Sequence, residues 1–478
     1  MNARLDARIV GMLAGLVGVF LCLPLLVAAG LGEPVRPFLS AMAISLVLVL
    51  AGYLAGQGAD KSLRTRDGYV IVAMGWLAAS FVAAVPYWVS GYATPIDSIF
   101  EAVSGITTTG STIFTDIESL PDSILLWRSM TQWIGGMGII VFTIAVLPLL
   151  GVGGMQLFKA EVPGPVADKV APRVAVTARY LWMIYVGLTV AEILLLRIGG
   201  MSLFDAVNHS FTTLATGGFS PKNESIAAYG SPFIRWVIIV FMFLAGVNFV
   251  LHFKLVTGRW RSVLRDEEIR WYVAMIAIFS LPVAATLWFS GRTFYRSVEE
   301  ATFTVVSLIT TTGYATADYE LWPVGLHGPI LILLVVGAMA GSTGGGIKTL
   351  RTLLAFRSLR MSFRRMLHPH GVHPVTYRGS LVAPEIREAV WGFFFAYMLV
   401  AVVGMLVIHA SGADLVTAWS ASLTAVGNVG PGLMDVGPTD NFAHLPGYAK
   451  LVLSFLMLCG RLELYTVLLV LMPGFWRR

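Results

Sequence analysis

The chain has 478 residues, 56% of them hydrophobic and only 13% charged, with 33 Lys and Arg against 27 Asp and Glu for a formal net charge of +6. Charged residues make up about a quarter of a soluble domain, so this composition, with a mean hydropathy of +0.77, excludes a soluble globular protein and points to a polytopic membrane protein. The 2 cysteines, Cys22 and Cys459, both lie in apolar runs, which excludes a disulfide framework or a CxxC pair and leaves packing as their role.

The first apolar run, Ile9 to Gly32, follows Arg4 and Arg8. It is longer than the apolar core of a signal peptide, about 7–15 residues, and is expected to be retained as a helix. A membrane crossing takes about 20 helical residues. Runs of that length begin near Ile9, Pro37, Gly68, Ser129, Tyr180, Trp236, Trp271, Gly328, Ala389 and Leu451, which predicts ten spans. Basic residues crowd alternate connections: Lys61, Arg64 and Arg66; Lys159, Lys169, Arg173 and Arg179; Lys254, Arg259, Arg261, Arg265 and Arg270; Arg351, Arg357, Arg360, Arg364, Arg365 and Arg378. With Arg477 and Arg478 after the last run, the positive-inside rule places both termini in the cytoplasm. The opposite connections carry Asp97, Glu101, Asp116, Glu118, Asp122, Asp205, Glu224, Glu299, Glu300, Asp318, Glu320, Asp414, Asp435 and Asp440 with few bases. An acidic outer face of this kind concentrates cations. The short loops leave no room for an extramembrane domain, so a soluble regulatory module is expected to be a separate chain.

Between the later runs a short polar segment ending in glycine occurs four times: Thr108-Thr109-Gly110-Ser111, Ala215-Thr216-Gly217-Gly218, Thr311-Thr312-Gly313-Tyr314 and Asn428-Val429-Gly430-Pro431. Each follows a run too short to span, Asp97 to Thr107, Ser202 to Leu214, Thr293 to Thr310 and Asp414 to Gly427, read as a half-helix entering from outside. Irregular backbone at membrane depth is tolerated only where it lines a wet path or is buried in protein. The negative ends of four such helices favour a cation at their centre, and glycine lets carbonyls turn inward as an ion filter requires. One Thr-Gly pair in a chain with 49 glycines is weak, since glycine also serves helix packing; four at matching places are strong. The predicted fold is an all-α polytopic membrane protein of ten transmembrane helices with four re-entrant pore loops in fourfold pseudosymmetric helix-loop-helix repeats. Its divisions are two extra N-terminal helices (1–66) and repeats over 67–158, 159–257, 258–378 and 379–478.

The run from Gly337 to Lys348, GAMAGSTGGGIK, should interrupt its helix. It is either a close-packing surface or a flexible intramembrane loop across a pore. The last span carries Arg461 and Glu463, where a central charge costs about 2.5–3.5 kcal/mol or more unless paired or hydrated. Arg461 therefore either faces a cavity or pairs with Glu463 or Glu192. His368, His370 and His373 have a spacing a metal can use, but they lie among bases beside Pro369 and Pro374. Lys348, Arg351, Arg357, Arg360, Arg364 and Arg365 could bind anionic lipid headgroups. There is no HExxH, Walker loop or GxSxG, so no catalytic residue is assigned and no enzyme is expected.

The segments Ser104 to Ser111, His209 to Ser220, Thr310 to Thr316 and Gly427 to Gly432, with Gln132-Trp133-Ile134-Gly135-Gly136-Met137-Gly138, resemble the pore loops of the Trk/Ktr/HKT superfamily of potassium transporters. The resemblance covers nearly the whole chain, and the two extra N-terminal spans match its bacterial TrkH branch. It implies that Gly110, Gly217, Gly313 and Gly430 form one filter position and that potassium is held at Thr108, Thr109, Thr216, Thr311, Thr312 and Asn428, with Ala215 and Val429 completing the filter. It further implies a gate at Gly341, Ser342, Thr343, Gly344, Gly345 and Gly346, with Arg461 at the constriction. A homodimer with one pore per subunit follows, in the bacterial inner membrane, docked to a cytoplasmic nucleotide-binding (RCK/KTN, TrkA-like) subunit, with no organic cofactor and no nucleic acid. Serine at the first glycine accompanies sodium preference in the plant branch, so four glycines favour potassium. With Ala215 and Asn428 where the other loops have threonine, the filter is expected to be less regular than that of a fourfold potassium channel. The expected activity is channel-like potassium uptake. The alternative is symport with sodium or protons, which broken helices also suit, although four parallel units entering from outside count against it.

Overall fold

The computed structural model describes residues 2–60, 64–145 and 174–477. Lys61, Lys159, Lys169, Arg173 and Arg478, and the predicted 158/159 repeat boundary, lie outside the described residues. The described chain is helical apart from loops and one short hairpin, Thr376–Tyr377 against Ser380–Leu381.

Among the described residues, six helices are long and apolar enough to cross a membrane: Ala3–Leu31, Arg36–Ala55, Arg66–Val89, Arg179–Ile198, Glu267–Phe289 and Pro384–His409. Two helix pairs pass the same test but are sharply bent, Pro232–Ala245 with Phe249–Val256 by 103° and Gly447–Arg461 with Leu464–Leu471 by 117°, which raises the number to eight. The run near Ser129 forms the helix Asp122–Ala145. The run near Gly328 stays helical only over His327–Leu333 before the chain turns into a loop and resumes as Thr349–Leu367.

Small residues pack the N-terminal pair closely. A Cβ on Gly11 would meet the Leu48 carbonyl at 2.7 Å, and Ser45 Oγ donates to the Ala14 carbonyl at 2.9 Å. Such close backbone approach is a usual source of helix association in lipid, where apolar burial gives no preference. Large apolar side chains left exposed, among them Leu26, Leu54, Phe289 and Phe395, belong to the long outer helices, where hydrocarbon is the solvent.

Inside them sit four shorter helices, Pro95–Ile106, Leu203–Leu214, Phe294–Ile309 and Leu415–Gly427, each within two residues of its predicted bounds. Three start with side-chain caps: Thr94 accepts from Asp97, Ser202 from Asp205, and Asp414 from Val416 and Thr417. Their C-terminal halves are buried.

The acidic connections, expected to face outward, are more compensated than loop composition indicates. Asp97 pairs with Lys450 at 2.6 Å, Glu101 with Arg128 at 2.8 Å, Glu118 with Lys222 at 3.0 Å and Glu299 with Arg235 at 3.6 Å, while Glu300 meets Arg292 and Arg296. Most of these bases come from distant segments, which is why a loop-by-loop charge count missed them.

Candidate functional site

All four short helices end alike. Thr108, Thr216, Thr311 and Asn428 adopt left-handed backbone with φ of 54°, 54°, 59° and 54°. The next amides, of Thr109, Gly217, Thr312 and Val429, donate back to the carbonyls of Ser104, Thr212, Ser307 and Thr424 at 2.8, 2.8, 2.8 and 3.0 Å. One residue further, Gly110, Gly218, Gly313 and Gly430 have φ of 90°, 78°, 77° and 107°. This is a Schellman ending, whose left-handed position is usually glycine. A non-glycine residue there costs about 1–3 kcal/mol, and strain of this kind collects at functional sites.

The four turns close into a ring in chain order. A Cβ on Gly110 would strike the Gly217 carbonyl, one on Gly218 the Thr312 carbonyl, one on Gly313 the Val429 carbonyl, and one on Gly430 would meet the Thr109 carbonyl at 2.8 Å. Positive φ and this approach together require glycine. Above the ring opens a cavity of about 100 Å³ whose lining takes in all four glycines. At the ring, Thr108 Oγ1 and Asn428 Oδ1 are buried with no hydrogen-bond partner, whereas Thr311 Oγ1 accepts from the Gly345 amide at 2.6 Å.

That last bond comes from the segment beneath. Residues 334–348 leave helical geometry, and a bridge between Val336 and Ile347 closes them into a loop. Thr343 Oγ1 donates to the carbonyls of Leu214 and Ala245 at 2.9 and 3.2 Å. The Gly341 carbonyl accepts from Phe249, and the Met339 amide donates to Gly246, both at the break of the first bent pair. Ser342, Thr343, Gly344 and Gly345 are buried, and Gly346 is half-buried. Arg461, 5% exposed, donates from Nη1 to the Thr343 carbonyl at 2.5 Å and from Nη2 to the Gly135 carbonyl at 3.2 Å. The segment is therefore a loop packed under the ring and not a helix-packing surface.

A match to the family model described as "TrkH: Cation transport protein" spans residues 36–474. The chain belongs to the TrkH cation transport family. It is 42% identical to the Trk system potassium uptake protein TrkH of Escherichia coli strain K12 and 41% identical to that of Salmonella typhimurium, each over the full length of both chains. The crystal structure of the potassium transporter TrkH from Vibrio parahaemolyticus superposes with a TM-score of 0.88 at 36% identity, covering both chains completely. As a transport family, TrkH involves no enzymatic turnover.

Within this TrkH fold the sequence-level register needs one correction. The residue matching Gly110, Gly313 and Gly430 is Gly218; Gly217 stands with Thr109, Thr312 and Val429. Ala215 accordingly moves one place back from the left-handed position, which Thr216 holds, and only Asn428 departs from threonine. Two adjacent glycines hid the register, but a hydroxyl residue exactly six places before each true glycine, Ser104, Thr212, Ser307 and Thr424, could have fixed it.

Two other expectations change. Arg461 makes neither predicted ion pair, and Glu463 instead takes Arg351 in a two-point pair at 2.7 and 3.3 Å, with the guanidinium 3.8 Å from the Phe393 ring centre. Lys348 is turned inward to the Gly344 carbonyl, so neither it nor Arg351 is available to headgroups; Arg360, Arg364 and Arg365 are exposed. No His, Cys, Asp or Glu group able to hold a metal exists among the described residues, His368, His370 and His373 included. Sequence reasoning gave Gln132 no specific role: its Nε2 donates to the Gly217 carbonyl at 2.7 Å and its Oε1 accepts from Phe219 at 3.0 Å, bracing the second loop on both sides of Gly218.

Proposed function

We propose that this chain takes up potassium through one channel-like pore at the centre of its four loops. The observation that carries this reading is the closed ring of left-handed turns, at which the ends of four helices converge and two buried oxygens remain without protein partners. Potassium exchanges its water shell for carbonyl and side-chain oxygens of Thr108, Thr109, Thr216, Gly217, Thr311, Thr312, Asn428 and Val429. The negative helix ends offset the cost of removing that water.

The loop 341–346 is the gate, and Arg461 holds it under the ring through the Thr343 carbonyl. Opening would withdraw both the loop and a fixed positive charge from the ion's path. In this reading the chain makes ten crossings, with Asp122–Ala145 and the interrupted helix from His327 counted as spans. It lies in a bacterial inner membrane with both termini in the cytoplasm, organised as the repeats 67–158, 159–257, 258–378 and 379–478. A homodimer, with a nucleotide-binding regulatory subunit on the basic cytoplasmic face, completes the proposal; cross-linking in membranes that yields only monomers would remove the dimer.

The test is ion flux into proteoliposomes holding the purified protein under a potassium gradient. Rubidium-permeable flux that runs in either direction with the gradient is expected. Flux that requires sodium or protons would make the protein a symporter instead. Gly110→Ser is expected to raise sodium permeability relative to potassium, because a side chain there collides with the Gly217 carbonyl; an unchanged ratio counts against the filter.

A further inference from the structure

Three consecutive acids at the cytoplasmic start of the helix Glu267–Phe289 hold three separate elements. Asp266 caps that helix, its Oδ1 accepting from the Glu268 and Ile269 amides at 3.0 and 3.3 Å, while its Oδ2 pairs with Arg378 at 2.6 Å. Glu267 Oε1 accepts from the Arg378 amide at 3.1 Å, and its other oxygen pairs with Arg357 at 2.6 Å. Arg357, on the cytoplasmic helix Thr349–Leu367, also donates to the Thr376 carbonyl of the hairpin. Glu268, 2% exposed, turns the other way, and its Oε1 accepts from the Ala340 amide of the gating loop at 2.8 Å.

Acids in a first turn ordinarily interact with their own helix, and Asp266 does so. Glu267 and Glu268 instead reach partners 111 and 72 residues away. Of the loop's other anchors, Thr311, Gly246, Phe249 and Arg461 belong to the ring or to the bent helices, while Thr349, first residue of the cytoplasmic helix, holds the loop's upstream end through the Gly337 and Ala338 carbonyls. The acidic turn joins the loop to a helix end that also grips the hairpin and the cytoplasmic helix.

We propose that Asp266-Glu267-Glu268 links the cytoplasmic hairpin to the gating loop, with Glu268 as a positioning residue that keeps the loop under the ring. Displacing the hairpin pulls on Arg378, shifts this helix start and loosens the bond to Ala340. The inference rests on reading 341–346 as the gate.

The test compares basal rubidium flux in proteoliposomes for Glu268→Ala, Glu268→Gln and Arg378→Ala, each alone and combined with deletion of Gly344 to Gly346. Glu268→Ala is expected to raise flux on the order of tenfold, since losing a hydrogen bond to a charged acceptor shifts a two-state balance by that factor or more. Glu268→Gln keeps an acceptor for the Ala340 amide and should return flux near that of the unmodified protein. Arg378→Ala should raise flux too, and none of the three should add to the deletion, because sites acting through one element are not additive. If deletion alone leaves flux unchanged, the gate reading fails. If deletion raises flux while Glu268→Ala and Arg378→Ala do not, the gate stands and the link is overturned. Effects that add fully to the deletion also overturn it, by showing general loosening. Should Glu268→Ala fail to fold, Arg378→Ala with and without the deletion decides the same question.

Discussion

Gly217 and Gly218 are neighbours of the same type, yet the ring asks different things of them. Gly218 has φ of 78° and a Cβ there would strike the Thr312 carbonyl, a backbone atom held by the next turn. A Cβ on Gly217 would press on the Gln132 side chain, which has rotatable bonds to yield. Gly218→Ala is therefore expected to cost at least about 1 kcal/mol from the backbone alone and to raise the sodium-to-potassium permeability ratio. Gly217→Ala should change that ratio less. Equal damage from both, measured as reversal potentials under mixed-ion gradients, would show that the second loop is out of the assigned register. Gln132→Leu should behave like a mild Gly218 variant, since it removes the amide that fixes the Gly217 carbonyl.

At the scale of elements, the ring is held by charge and hydrogen bonding between segments far apart in the chain as well as by apolar packing. The first short helix, Pro95–Ile106, is tied to the helix that follows by Glu101 and Arg128, which are 0% and 1% exposed. Glu101 also accepts from Thr112 and Ile113, while Arg128 donates to the Ser220 carbonyl and lies 4.2 Å from the Phe219 ring centre. Replacing the pair with matched apolar residues would cost little, but removing one partner leaves a buried charge, typically at about 3–5 kcal/mol. Glu101→Ala should thus lower the unfolding temperature of the purified protein markedly, and an unchanged transition would remove the pair from the account of stability. The bend at Glu463, a non-glycine residue with φ of 60°, is clamped by Arg351 just after the loop under the ring. Both bent helices thus touch the loop they flank, which ties the proposed gate to the helices around it.

Across the whole molecule the cavity over the ring, the outer mouth in the proposed reading, keeps a cluster of carboxylates after the ion pairs are counted. Burial, and after it the carboxylates of Asp318, Asp440 and Asp435, push Glu320 up to about 7. Its side chain abuts Gly437, which lines the mouth cavity. A raised carboxyl is favoured in its protonated form by the fold, so its contribution to stability is full below the unfolded value of 4.5 and is lost as pH rises through about 7. Its effect on transport has the opposite sign, because ionisation adds negative charge that draws cations to the mouth. Uptake at low external potassium should therefore rise between about pH 6 and 8, and Glu320→Gln should flatten that rise. A pH profile unchanged in the variant would separate Glu320 from cation capture.

The sequence by itself determined that this is a membrane protein, where its four short inner helices lie, that four glycine-bearing loops repeat, and that the run from Gly337 to Lys348 interrupts its helix. These properties follow from apolar run length, caps and the backbone freedom of glycine, all of which act over a few residues. The register of the second loop, the partners of Arg461 and Glu463, the neutralisation of Asp97 and Glu101, and the grip of Glu268 on Ala340 were decided only by the tertiary structure. Each depends on which distant backbone or charge arrives beside a residue, and membrane burial makes that arrival decisive because an unpaired polar group in a dry interior is costly. A linear sequence shows which groups need partners, and only packing shows which partners they find.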